Sequence, residues 1–159
     1  MARLLKTRSK KKGLPPGTLV HIGEKRAGAA NITLIDYDET NVSELEIKTL
    51  DQCFPFKESP TTTWINVEGL DANIIQKLGD CYGFHPLVLE DILNTDQRPK
   101  IEDYGEYIYI VVKMLGEKKG RNGVEFFSEQ VSIILGKNFV ISFQEGVKGD
   151  VFNHVRERI

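Results

Sequence analysis

The sequence predicts an α/β or α+β domain in which helices pack on a mixed β-sheet. Three observations support this fold class: β-branched runs precede residue 70, two helical periodicities occupy residues 71–93, and further apolar runs follow residue 106. The chain has 159 residues and an apolar fraction of 40%, both typical of one globular domain. Its longest apolar run, 107–112, has six residues, whereas a bilayer-spanning helix needs about 20. We therefore expect one folded unit and no spanning segment in this chain.

Short runs of apolar and β-branched residues predict the first strands. Residues 18–22 and 32–37 are two such runs, and residues 45–47 predict a third strand. A short helical turn is predicted near residues 50–54. Residues 61–67 (TTTWINV) predict a further strand that leads directly into a helix.

Two helices are predicted between residues 71 and 93. Asp71 is placed to cap the first helix, and Gly83 is placed to end it. His85-Pro86 opens the second helix, because proline at the first helical position loses no hydrogen bond. Apolar residues recur at helical spacing in both segments, so each helix has one face to bury.

The second helix carries an adjacent acidic pair, Glu90 and Asp91. The two side chains fall about 100° apart on the helix and point largely away from its apolar face. Neighbouring carboxylates suit hard cations such as Mg²⁺, which takes one or two carboxylates and keeps several waters. From spacing alone, the solvated face of an amphipathic helix is the simpler interpretation.

The pattern after residue 106 is that of strands. Residues 107–115 are apolar on both sides except at Lys113, which predicts a central strand covered on both faces. Residues 116–123 (GEKKGRNG) predict a turn. Residues 124–135 and 139–143 predict two more strands, so that the three form an antiparallel meander.

The charge of the chain is unevenly distributed. The formal net charge is -2, but six of the 21 Lys and Arg residues lie in residues 1–12, where no acid occurs. Residues 13–159 therefore carry 21 − 6 = 15 bases against 23 acids, a net of −8. The basic tail is compatible with three roles: binding to nucleic acid, binding to an anionic lipid surface, or exposure to solvent as a simple chain end. Because the acidic body would repel a polyanion, we expect no nucleic acid as a partner.

Sequence motifs do not indicate an enzyme. Walker, Rossmann, nucleophile-elbow and His-Glu-x-x-His patterns are absent from the sequence, and no nucleophile is paired with a base. The two cysteines, Cys53 and Cys81, lack metal-ligand spacing and are interpreted as reduced structural thiols. His21, His85 and His154 are scattered, so structural or surface roles are expected for them.

The last ten residues predict the start of a helix. Asp150 is placed to cap it, and Val151, Val155 and Ile159 recur at intervals of four. No Gly, Asn or Pro terminator follows. We interpret this as a helix cut short in a longer chain, and the alternative is a natural terminal helix that frays.

Seven segments occur in an order that resembles one family, the CorA magnesium transporters. They are residues 13–20 (GLPPGTLV), 64–67 (WINV), 85–94 (HPLVLEDILN), 97–102 (QRPKIE), 129–132 (EQVS), 143–145 (FQE) and 155–159 (VRERI). The resemblance is to the N-terminal cytoplasmic domain of these proteins and covers nearly all of residues 13–159. Each motif is modest by itself, but the joint order and spacing are specific.

The resemblance implies an α/β/α layered domain with a mixed parallel/antiparallel sheet. It divides the chain into a flexible basic tail, 1–12, and a regulatory domain, 13–159, whose stalk helix begins near residues 150–159. In the full-length protein it implies a homopentamer in the inner (plasma) membrane, with this domain on the cytoplasmic side and the spanning helices beyond Ile159.

The resemblance also implies a regulatory metal site between neighbouring subunits. Asp91, with Glu90 beside it, matches the family's acidic ligand position, and the Leu14 main chain lies near the same interface. The expected ligand is Mg²⁺, with Co²⁺ or another divalent cation as alternatives, and the expected function is sensing and gating. The nearest alternative interpretation is a ZntB-like zinc transporter domain. The alternative from another functional class is a nucleic-acid-binding domain that uses the basic tail.

Overall fold

The computed structural model describes residues 13–23, 30–120, 123–146 and 152–159. Two sequence predictions fall outside these residues, namely the flexible basic tail 1–12 and the helix cap at Asp150. The domain boundaries and the nucleic-acid alternative, which depend on these segments, therefore stay predictions.

The described residues form one seven-stranded sheet of order β2-β1-β3-β7-β6-β5-β4. Strands β3 and β7 pair in parallel, from Thr63 opposite Phe139 to Glu68 opposite Gln144, and all other neighbours are antiparallel. The mixed sheet confirms the predicted fold class. The strands are β1 Asn31–Tyr37, β2 Val42–Glu46, β3 Thr62–Glu68, β4 Lys100–Asp103, β5 Ile108–Gly120, β6 Gly123–Leu135 and β7 Phe139–Gln144.

Helices α1 (Ala72–Tyr82) and α2 (Pro86–Leu93) form as predicted. The Asp71 carboxylate accepts hydrogen bonds from two main-chain N–H groups in the first turn of α1, which would otherwise lack partners. Gly83 ends α1 at φ 78°, a left-handed conformation that favours glycine. His85 caps α2, with Nδ1 accepting the N–H of Leu87 at 3.2 Å. The predicted helical turn after β2 consists of two 3₁₀ segments, Leu50–Gln52 and Phe54–Glu58.

Helices lie on both faces of the sheet. Ile65 and Val67 of β3 belong to the buried cluster that also contains the apolar faces of α1 and α2. Trp64 alternates with them and therefore faces the opposite side, where its ring meets Phe152 edge-on at 5.3 Å between centroids. Phe152 precedes the short helix α3, Asn153–Arg156. The arrangement confirms the α/β/α layering.

The predicted strand at residues 18–22 is wrong. Only Ile22 pairs, through a single bridge with Asn94 just after α2. The N–H of Ile22 donates to the Leu93 carbonyl at 2.9 Å, and the N–H of Thr95 donates to the Ile22 carbonyl at 3.0 Å. The hydrogen bonds of Ile22 therefore go to the end of a helix, and the sheet edges are taken by β2 and β4.

The prediction for β5 needs two corrections. Residues 116–120 and 123 of the predicted turn belong to strands instead, because pairing between β5 and β6 continues to Gly120 opposite Gly123. The strand is also not covered on both faces, because the side chains of Ile110 and Val112 are only half-buried and Leu115 remains 80% exposed. Val124 and Phe126 of β6 are exposed as well, so the apolar side chains at this end of the hairpin have no covering layer among the described residues.

Candidate functional site

The acidic pair lies at the rim of α2. Val88, Leu89, Ile92 and Leu93 are buried against the sheet, and they hold the helix in one orientation. Glu90 and Asp91 fall on the remaining part of the helix surface and are half-buried. They are presented at the surface as the sequence predicted, but both are engaged by other parts of the chain.

Glu90 joins α2 to the N-terminal loop. Its Oε2 atom accepts the main-chain N–H of Gly17 at 2.6 Å. Gly17 has φ +82°, and a Cβ there would lie 3.2 Å from Cβ of Pro86, so glycine suits both the conformation and the close approach. Leu14, three residues earlier, is 45% exposed. The contact therefore brings the loop that carries Leu14 to the acidic pair.

Asp91 is held by three polar contacts from residues later in the chain. Its Oδ1 atom accepts a hydrogen bond from Gln97 Nε2 at 2.6 Å, and its Oδ2 atom accepts one from Lys100 Nζ at 2.6 Å. Gln130 Nε2 donates to the Asp91 main-chain carbonyl at 3.3 Å. The side chain keeps 24% of its surface exposed. The carboxylate is thus oriented, already paired with a cation, and still within reach of solvent.

Lys100 is the residue that sequence reasoning missed. It lies at the start of edge strand β4, where Nζ also donates to Glu102 Oε1 at 2.8 Å and stands 5.4 Å from the Tyr109 ring centroid. Partial burial acts to lower the pKa of the ammonium, but the hydrogen bonds and charges of Asp91 and Glu102 outweigh it and raise this pKa above its ordinary value. Lys100 is therefore a firmly charged bridge between two carboxylates.

Gln130 connects this site to the sheet. It is 2% exposed, and its Oε1 atom accepts from the Gln97 N–H at 3.2 Å and from Lys113 Nζ at 3.3 Å. Lys113 Nζ also donates to the Thr95 carbonyl at 2.6 Å. The Glu145 carboxylate accepts the Gln130 N–H at 2.7 Å. The motifs around residues 97, 130 and 145 thus meet beneath Asp91 and fix the segment that follows α2.

The donor set fits a hard divalent cation only in part. Carboxylate and main-chain oxygens are the ligands that Mg²⁺ prefers, and the Lys100 ammonium stands in for a cation on Asp91. Within the described ranges, however, no group of three or more His, Cys, Asp and Glu side chains could hold a metal ion. A complete site at Asp91 therefore requires oxygen ligands from water or from chain segments beyond those described.

The histidines have the structural or surface positions that were expected. His85 is the cap of α2, and His154 is an exposed residue whose Nδ1 lies 3.3 Å from Glu157 Oε2. His21 is half-buried in the segment that precedes the bridge at Ile22. None of the helices among the described residues is long and apolar enough to cross a membrane.

Comparisons with known proteins agree on one family. A family profile described as "CorA-like Mg2+ transporter protein" matches residues 59–159. The Cobalt/magnesium transport protein CorA of Thermotoga maritima is 47% identical over 152 residues, covering 95% of this chain and 42% of that protein. This chain therefore spans less than half the length of that relative.

Solved structures resemble the fold at low sequence identity. The full-length CmaX protein matches with a TM-score of 0.53 and 15% identity, covering 76% of this chain and 36% of that chain. The soluble domain of CorA from Methanocaldococcus jannaschii matches with a TM-score of 0.47 and 13% identity, covering 69% of this chain and 39% of that chain.

Proposed function

Because this chain belongs to the family of CorA-like Mg²⁺ transporter proteins, we propose that it is the cytoplasmic part of a magnesium transporter and that it senses divalent cations. The sensed ion is Mg²⁺, and Co²⁺ is the second candidate because the Thermotoga relative is named a cobalt/magnesium transport protein. The site residues are Asp91, Glu90 and the main chain at Leu14. In this proposal the full-length protein resides in the plasma membrane, with this domain on its cytoplasmic side.

One observation carries the sensing proposal. Asp91 is an oriented carboxylate at the domain surface that already binds a positive charge. It lies in one helix turn with Glu90, which in turn holds the loop containing Leu14. Carboxylates from two chains that face each other across an interface would repel, and a bridging divalent cation would reverse that repulsion. In this proposal the remaining oxygen ligands come from the neighbouring subunit and from water.

The proposed assembly is a homopentamer, in which each interface holds one such site. At a metal concentration equal to the dissociation constant, one site contributes about 0.4 kcal/mol, so five contribute about 2 kcal/mol to the metal-bound state. This shifts a two-state gate by a factor of about 30. Weak individual sites are therefore sufficient to make the closed assembly depend on cytoplasmic Mg²⁺.

The test is Mg²⁺-dependent protection of the full-length protein from proteolysis. We expect MgCl₂ to slow cleavage of the wild type, and Asp91→Ala to raise the Mg²⁺ concentration needed for protection. Asp80→Ala is the matched control, because it removes an exposed acid from a different helix, α1, where Asp80 accepts a hydrogen bond from Gln76. If Asp91→Ala and Asp80→Ala both keep the wild-type midpoint, the sensing role of Asp91 is wrong.

A further inference from the structure

We propose that Lys100 is a built-in competitor for the divalent cation at Asp91, so that metal binding is an exchange of one cation for another. This inference rests on the proposed function, because it names how the same site is regulated. In the structure the Lys100 ammonium lies 2.6 Å from the Asp91 carboxylate and neutralises it. When the metal binds, the ammonium leaves Asp91 and remains with Glu102.

The geometry supplies both positions of the ammonium. Lys100 Nζ contacts Asp91 Oδ2 at 2.6 Å and Glu102 Oε1 at 2.8 Å at the same time, so a small side-chain rotation can give up one contact and keep the other. The exchange therefore does not release an unpaired ammonium. Glu102 is itself steadied by the Tyr104 hydroxyl, which donates to its Oε2 atom at 3.3 Å.

Lys100 is not needed to orient the carboxylate. Gln97 holds the other oxygen of Asp91, and Gln130 holds its main-chain carbonyl. Both glutamines are neutral, and Gln130 is anchored in the sheet by Glu145. Removing the lysine charge therefore leaves Asp91 in place and exposes an uncompensated negative charge to the metal.

The competition sets the sensitivity of the sensor. A positive charge beside Asp91 opposes a divalent cation there, and it also reduces the repulsion between facing subunits when metal is absent. At a separation of about 6 Å with water between the charges, such a charge alters the affinity for a divalent ion by a factor of about ten. A lysine at this position thus shifts the response to higher Mg²⁺ concentrations.

The experiment measures the MgCl₂ midpoint of protease protection for the full-length protein and four variants. Lys100→Met is expected to lower the midpoint about tenfold, because the competing charge is gone. Lys100→Arg is expected to keep it near the wild-type value. Glu102→Gln is expected to raise it several-fold, because the ammonium then depends on Asp91 alone. Asp91→Ala removes the proposed metal ligand and so tests the sensing role itself. Thermal unfolding in EDTA checks that each variant is folded.

The outcomes separate this inference from the proposed function. Opposite shifts in Lys100→Met and Glu102→Gln support the exchange, and a merely structural lysine would not produce them. If Asp91→Ala raises the midpoint while Lys100→Met and Glu102→Gln leave it unchanged, the exchange is overturned and the sensing role stands. If Asp91→Ala leaves the midpoint unchanged, both the exchange and the sensing role of Asp91 are wrong. If Lys100→Met does not fold, an unchanged or lowered midpoint in Glu102→Gln overturns the exchange.

Discussion

The Glu90 carboxylate accepts the main-chain N–H of Gly17 at 2.6 Å, across 73 positions of sequence. This contact fastens the N-terminal loop to helix α2 beside Asp91. Because the acceptor is charged, it is stronger than a hydrogen bond between neutral groups. The position of Leu14 at the proposed interface therefore depends on a side chain that is also a candidate ligand.

Replacing Glu90 with Ala is expected to loosen this loop. A hydrogen bond to a charged group contributes about 1.5–3 kcal/mol, and partial exposure places this one at the lower end. We expect the Gly17 amide to exchange its hydrogen about tenfold faster in Glu90→Ala. Glu106→Ala, at an exposed acid after β4, is the control. Equal exchange rates in the two variants would contradict the assignment.

Asp71 is expected to stabilise α1 through its cap. Its Oδ1 atom accepts the N–H groups of Asn73 and Ile74 at 2.9 and 3.1 Å. Asp71→Ala leaves these donors to water and should lower the free energy of unfolding by about 1 kcal/mol, measured by urea denaturation. Asp71→Asn retains an acceptor oxygen and should lie close to wild type, so an equal loss in both would argue against the cap.

Gly79 is expected to resist substitution by alanine, although it lies within a helix. A Cβ there would lie 2.4 Å from Cδ1 of Leu89 in α2, so the helices would have to move apart or Leu89 would have to shift. We expect Gly79→Ala to destabilise the chain by about 1–3 kcal/mol, against the ordinary helix preference for alanine.

Combining Gly79→Ala with Leu89→Ala tests whether this contact is the cause. Leu89→Ala alone should lower the free energy of unfolding by about 2–5 kcal/mol, because it leaves a cavity at a buried position. Adding Gly79→Ala to Leu89→Ala should then lower the free energy of unfolding no further, since the new Cβ can occupy the space left by the leucine side chain. Additive losses in denaturant unfolding would show that the contact between the two residues is not responsible.

Alkaline pH is expected to destabilise the fold through Cys53. Burial, and to a smaller extent the nearby Cys81, raises the pKa of the Cys53 thiol from 9.0 to about 12. The unfolded chain loses this proton near pH 9 and the folded chain keeps it, so this stabilisation is complete below pH 9 and is lost as pH rises towards 12. Unfolding measured from pH 8 to 11 should show a smaller decline in Cys53→Ala, and parallel declines would contradict this.

The helical core of the fold could be predicted because its signals are local. Asp71, Gly83 and His85-Pro86 mark helix ends through their own main-chain geometry, and the structure confirms each of them. Strand β4 was not predicted, because its four residues, KIED, are mostly polar and become a strand through main-chain pairing with β5. Where a segment depends on a distant partner, the local pattern alone does not identify it.

The candidate site could be predicted only in part for the same reason. Glu90 and Asp91 were identified from helical spacing and family resemblance, and the structure places both at the surface. The contact of Lys100 with Asp91 was not predicted, because it depends on the path of residues 94–100 after α2. The QRPK motif lies in that segment, but only its folded path brings Gln97 and Lys100 to one carboxylate.

The most direct measurement of the central claim is anomalous diffraction from crystals of the full-length protein grown with Co²⁺ in place of Mg²⁺. We expect an anomalous peak at the Asp91 carboxylate, bound directly or through one water and shared with a neighbouring subunit, with Lys100 displaced towards Glu102. Cobalt peaks elsewhere in the assembly, with Asp91 still paired to Lys100 and no peak beside it, would contradict the proposed sensor.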